Sequence, residues 1–376
     1  MALSKYKLGE LIELRERTNS DLRFGPDAVR GVNNLKKMMP TKVDLTGRDL
    51  GKFQIVAPGE FFFNHRTSRN GSKFSITVND EAAPIICTED YVVFRIKAEC
   101  TSLILREWLY CYFCRPEFDR YVITNSWGSS TEFYNWEDLC DIDIELPPLA
   151  IQQKFVDIYN AMIANQQAYE RGLEDLKLVC DGYIEDLRRK MTCEKIGPYI
   201  EERNEKNDKN TITLFQGVNV DHVFTDPKRI AEDSENGSVV RTGQFAFNKV
   251  MKAHNTKLPI ALREGPDCVV SNSYQVFEVV DKNKLLPKYL LLWMNRAETQ
   301  RYAGFISFGT TRDIFSFDEL GEIAIPFPDA NIQQCVVDIF KVYQERNAIN
   351  ERLKTQIKSI CPVLIKGSID EARKGA

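Results

Sequence analysis

The chain is poorly supplied with the side chains of acid–base and metal chemistry. Only three histidines occur in 376 residues, His65, His222 and His254, and each is by default a packed or surface residue. Ten cysteines are scattered, with one close pair, Cys111/Cys114 in LREWLYCYFCRPEF. A structural zinc site wants a second such pair, so no metal is expected and the thiols read as core residues of a reducing compartment. Nucleotide and hydrolase motifs are missing too: there is no GxxxxGKS/T loop, no GxGxxG, no HExxH and no GxSxG. Nor is there an Asp/Asn-Pro-Pro-aromatic signature of the kind with which an amino-methyltransferase grips a flipped base. No apolar run approaches the roughly 18 residues of a membrane span. The opening MALSKYKLGELIELRER has no apolar segment of signal-peptide length. A cytoplasmic protein without catalytic machinery of its own is expected.

What is present is enough for real cores: 43% of residues are hydrophobic and 28% charged. At roughly 150 residues per domain the length allows two or three domains. The net charge of −4 counts against nucleic acid only on average, because binding depends on where the charge sits.

The main feature is a repeat. EDLCDIDIELPPLAIQQKFVDI, from Glu137, returns without a gap as DELGEIAIPFPDANIQQCVVDI, from Asp318. One offset carries Gly128 onto Gly309, Ile144 onto Ile325, Pro147 onto Pro328 and Gln152-Gln153 onto Gln333-Gln334. Upstream, GEFFFN from Gly59 answers GQFAFN from Gly243, YVVF from Tyr91 answers YQVF from Tyr274, and KLGELIE from Lys7 answers EKIGPYIE from Glu194. A period near 180 residues is far beyond the 20–50 of solenoid repeats; this is domain duplication. Each copy mixes short β-type runs with one or two helices, punctuated by Gly, Asn and Pro, and ends in a long helix.

In the long helix of the first copy apolar residues recur at Ile151, Phe155, Ile158, Met162, Tyr169, Leu173, Leu176, Cys180, Tyr183 and Leu187. In the second they recur at Ile332, Val336, Ile339, Tyr343, Asn350, Leu353, Ile357 and Ile360, with Pro362 closing the run. That 3.5-residue period is a coiled-coil seam. A forty-residue helix spans about 60 Å, more than a small domain needs, so the two helices are expected to pair with each other. The expected fold is α+β: two tandem domains at 1–149 and 192–329, with a spacer helix at 150–191 and a distal helix and tail at 330–376. The helices would form an antiparallel coiled coil with an internal pseudo-twofold axis.

Two similar, divergent heads on a spacer suit a two-part target such as duplex DNA. After the equivalent GxFxFN strand, each copy places a basic loop without an acid. In the first, Asn64–Asn79, the candidates are His65, Arg66, Arg69, Asn70 and Lys73; in the second, Asn248–Arg263, they are Lys249, Lys252, His254, Asn255 and Lys257. Arg, Asn, Ser and Thr reach base edges and phosphates, although a solvated loop has the same composition. A second pair of loops precedes the repeated junction: SWGSSTEF with Ser129, Ser130 and Thr131, and SFGTTRDI with Thr310, Thr311 and Arg312. Their hydroxyls could meet phosphates, or could cap the helices that begin at WEDL and FDEL.

Taken together, GSSTEFYNWEDLCDIDIELPPLAIQQ and its echo GTTRDIFSFDELGEIAIPFPDANIQQ make the chain resemble the specificity subunit of a type I restriction–modification system, over essentially its whole length. It departs from that family where Gln152 and Gln333 replace the usual Glu before the paired Gln, and where Asp329 replaces the second proline of the distal junction. The resemblance implies a non-catalytic subunit whose domains each read a few base pairs of an asymmetric bipartite site, with the helices setting the gap. It also implies two methyltransferase subunits and restriction/translocase subunits as partners. S-adenosylmethionine, ATP and magnesium would belong to those partners, and this chain would hold no cofactor. On that view Gln152, Gln153, Gln333 and Gln334 are candidate partner contacts; the other reading of them is helix-start hydrogen bonding. The rival function is a two-headed protein–protein scaffold, and an enzyme site assembled from both copies is disfavoured by the shortage of histidine.

Overall fold

The computed structural model describes residues 3–33, 35–41, 43–67, 71, 73–129, 131–208, 211–227, 237–251, 257–307 and 313–375. The chain divides into two compact units, Met1–Glu170 with Ile349–Ala376, and Arg171–Ala348. Both are α+β.

The first unit is built on a four-stranded antiparallel sheet in the order Ile12–Leu14, Tyr91–Ile96, Phe61–Asn64, Ile76–Val78. The Phe61-Phe62-Phe63 run does not alternate with polar residues because both faces of this strand are covered. Phe61 and Phe63 pack with Phe94, Trp108 and Phe113, while Phe62 faces Val56, Ile85 and Val93. The second unit repeats the sheet as Ile200–Arg203, Tyr274–Val279, Phe245–Asn248, Ile260–Leu262. The register is the same in both: Phe61 lies opposite Phe94 and Asn64 opposite Tyr91, as Phe245 lies opposite Phe277 and Asn248 opposite Tyr274. The paired phenylalanines stack at 5.2 Å and 4.8 Å. Each tyrosine hydroxyl accepts from a backbone N–H of the neighbouring hairpin, Val32 at 3.2 Å and Val218 at 3.1 Å. The duplication read from scattered identities is therefore a duplication of packing.

Two long helices, Leu149–Lys190 and Ala330–Lys374, each contribute to both units. Within the first unit they run antiparallel. Lys154 meets Glu371 at 2.8 Å, Gln166 donates to Asn350 at 3.1 Å, and Lys354 meets Glu170 at 2.7 Å. Within the second, Ile184 and Leu187 share a core with Val336 and Val337.

The coiled-coil period holds and most of the seam read in the sequence is covered, but two of its positions on the first helix are exposed. Ile158 is 41% exposed and Tyr183 37%. The covered face also takes in Gln152, Val156, Tyr159, Ile163, Gln166, Glu170 and Ile184, beside Phe155, Leu173, Cys180 and Leu187. Polar residues hold seam positions because Asn350 and Lys354 satisfy Gln166 and Glu170. Pro362 also does not close the second helix, which continues to Lys374 with the proline inside it. A helix-interior proline costs about 3 kcal/mol. Here the following turns bury Leu364, Ile365, Ser368 and Ala372 against the first unit, and that burial offsets the lost hydrogen bond.

Candidate functional site

In each unit the strand that carries the FN dipeptide leads straight into the basic loop, and the segment before the repeated junction is bound to that exit. In the first unit the Asn64 carboxamide accepts from Arg66 N–H at 2.9 Å, and the His65 carbonyl accepts from Tyr134 N–H at 2.9 Å. Thr67 N–H donates to the Glu132 carbonyl at 3.0 Å, and Arg66 bridges to Phe133. Trp127 and Phe133 close the hairpin by exchanging two backbone hydrogen bonds of 3.0 Å. In the second unit the Asn248 carboxamide accepts from Val250 N–H at 3.0 Å, Phe315 N–H donates to the Lys249 carbonyl at 2.9 Å, and Val250–Met251 pairs with Asp313–Ile314. The roots of two candidate loops some sixty residues apart in sequence thus converge, and they do so in the same way twice.

Gly128 shapes the first hairpin. Its φ is +154°, and a Cβ placed on it would lie 1.9 Å from the Thr131 carbonyl oxygen, so no other residue fits. Ser129 is exposed and Thr131 half-buried beyond it. Neither is needed as a cap. The helix at WEDL begins after Asn135, whose N–H donates to the Asp138 carboxylate, and the one at FDEL is capped by Ser316.

The side chains differ in their availability. His65 stands half-buried with its ring edge-on to Phe133 at 5.2 Å. Burial holds its pKa below the ordinary 6.5, so at neutral pH it is an uncharged ring and not part of the cationic patch. Arg66 is paired with Asp90 at 2.9 Å, and the second copy has Val250 at that place in the sheet register. Lys73 and Lys257 are exposed, and Lys249 is half-buried. Arg69, Asn70, Ser130, Lys252, His254, Asn255, Thr310, Thr311 and Arg312 lie outside the described residues. Trp127, which charge and hydroxyl patterns did not single out, is 72% exposed at the base of the hairpin. Its signal in the sequence was a large aromatic directly before an obligatory glycine. His222 is packed, with Nδ1 3.2 Å from the Ile260 carbonyl.

The four junction glutamines separate into two kinds. Gln152 and Gln333 have no exposed surface. The Gln152 amide donates to the Leu103 and Pro147 carbonyls at 2.8 and 2.7 Å and accepts from Leu105 N–H at 2.9 Å. Gln333 donates to the Lys284 and Pro328 carbonyls at 2.8 and 2.9 Å and accepts from Leu286 N–H at 2.8 Å. Their side chains face the junction and not the surface, which corrects the sequence reading of these two as partner contacts: each fastens the start of its long helix to the loop before a head helix. Gln153 and Gln334 are exposed and bond one turn ahead to Asp157 and Asp338.

A family model described as the type I restriction modification DNA specificity domain matches residues 202–359. No curated protein sequence matches the chain. Among solved structures, a type I restriction–modification S subunit from M. genitalium shares 12% identity, with 97% of this chain and 96% of that one covered at a TM-score of 0.56. A chain from a structure of the type I R-M system, concerned with complex assembly and conformational transition, shares 14% identity, with 99% and 97% covered at a TM-score of 0.52. The HsdS subunit from Thermoanaerobacter tengcongensis is also similar, at 14% identity, 99% and 96% covered, and a TM-score of 0.48. The family model is thus matched over most of the second copy, the same fold is repeated in the first, and the fold along nearly the whole chain is similar to that of type I restriction–modification S subunits.

Proposed function

We propose that the chain reads an asymmetric two-part duplex site, each unit taking one half through its own pair of converging loops. The observation that carries the reading is that convergence: the start of a basic, acid-free loop and the segment before the repeated junction are joined by equivalent hydrogen bonds in both copies. Phosphate contacts from Lys73, Lys249 and Lys257 would set register, and the loop tips would meet base edges. Divergence between the loops, with Arg66 in one copy and Val250 in the other, supports two different half-sites. The long helices would set the unspecified gap and, through exposed positions such as Gln153 and Gln334, seat two methyltransferase subunits, with restriction/translocase subunits joining them. In this reading the chain makes and breaks no bonds. Methyl transfer with S-adenosylmethionine, and translocation with ATP and magnesium, belong to the partners, whose surfaces also compensate for a net charge of −4.

The test is binding of labelled duplex by the full chain with and without its methyltransferase subunit, across a salt series. Specific binding is expected, with log K falling by about 0.9 per neutralised phosphate for each tenfold rise in salt. Salt-independent association, or none with any duplex in the presence of the partner, favours the protein scaffold instead.

A further inference from the structure

We infer that Trp127 is a DNA contact: its indole lies flat against sugars and bases of the half-site read by the first unit. This rests on the DNA-reading function above and adds to it a named apolar contact. The chain has four tryptophans. Trp108 and Trp293 are 1% and 4% exposed, and Trp136 packs on Phe94 at 5.6 Å. Trp127 alone among them is left 72% exposed. An indole offers a large apolar face that is normally covered, and no ring contact covers this one among the described residues.

The residue is nevertheless held in place. Its N–H and carbonyl are both bonded to Phe133, and Thr67 and Tyr134 tie the hairpin to the exit of the basic loop. Gly128 fixes the chain direction immediately after it. Position is thus dictated by the backbone while the ring is kept out of the core. The surroundings say what should cover it. The hydroxyls of Ser129 and Thr131 lie on the same hairpin, and the uncharged His65 ring packs on Phe133, the residue paired with Trp127. The loop bearing Lys73 has no acid between Asn64 and Asn79; the hairpin has one, Glu132, whose carboxylate can accept from a cytosine amine. Hydroxyls suit phosphates, and an exposed planar ring on the same hairpin suits the apolar faces of sugars and bases.

Acrylamide quenching of tryptophan emission tests the inference on the full chain, with sonicated mixed-sequence duplex DNA at low salt as the probe. Binding is followed separately by anisotropy of a labelled duplex. The readily quenched part of the emission is assigned by its loss in the Trp127→Phe chain. The expected result is that duplex shields this component several-fold in the natural chain, that Trp127→Ala weakens duplex affinity by about tenfold, and that Trp127→Phe retains most of it. Far-UV circular dichroism should be the same in all three. Duplex binding with Trp127 still fully quenchable overturns the inference and leaves the DNA-reading function standing. Shielding by the methyltransferase subunit alone, without DNA, overturns it in favour of a protein contact. Absence of any duplex binding removes both.

Discussion

Replacing Gln152 by Leu keeps the size of the side chain but removes its amide. Three hydrogen bonds disappear, to Leu103, Pro147 and Leu105. At about 1 kcal/mol each the loss is about 3 kcal/mol, and the buried Leu105 N–H left without its acceptor adds to it. The effect is local first: the start of the long helix loosens from the head helix Arg106–Phe113. Native-state hydrogen exchange reads it directly, and 3 kcal/mol corresponds to about a hundredfold faster exchange at the Leu105 amide. Gln333→Leu should do the same at Leu286, since its three bonds are equivalent. Gln153→Ala and Gln334→Ala change exposed side chains and should stay within about 0.5 kcal/mol. Unchanged protection at Leu105 in Gln152→Leu, or loss of methyltransferase association without any loss of protection, would refute the fastening role.

Asp119 holds a buried position where it pairs with Lys36 and accepts from Phe74 N–H at 3.1 Å; Asp119→Ala should lower first-unit stability by about 3–5 kcal/mol in a urea titration, and a much smaller loss would mean that water replaces the pair. Gly128→Ala cannot keep the hairpin, so duplex affinity should fall while circular dichroism is retained, and normal affinity would exclude the hairpin from the interface. Hydrogen bonds from Lys354 and then Gln166 hold the Glu170 carboxyl below its ordinary 4.5. That contact is therefore complete above pH 4.5 and is lost as pH falls through the lowered value. Protection factors against amide exchange in the helix pair of the first unit should fall in acid, and Lys354→Met should remove that pH dependence.

Much of this was legible in the sequence because duplication records packing twice. GEFFFN and GQFAFN gave the central strand of each sheet, and the repeated junction gave both long helices. The polar part of the seam was not legible: Gln166 and Glu170 stand out in no apolar pattern, and they are covered only because Asn350 and Lys354 come from a helix nearly two hundred residues away. Pro362 misled for a related reason, since local chemistry stops a helix there and tertiary burial carries it on. The same limit applies to the site. Composition found the basic loops, but it could not tell that Arg66 meets Asp90, that His65 is kept uncharged, or that Gln152 is buried. Trp127 escaped because an exposed tryptophan looks, in sequence, like a buried one.

The claim on which the rest depends is that each unit reads its own half of the site. Its direct measurement is the methylated motif in genomes of cells carrying either this chain or a chimaera in which residues 1–149 come from a relative with a different target. The account predicts a motif with one half replaced, the other half and the gap unchanged. A motif altered in both halves, or not altered at all, would contradict it.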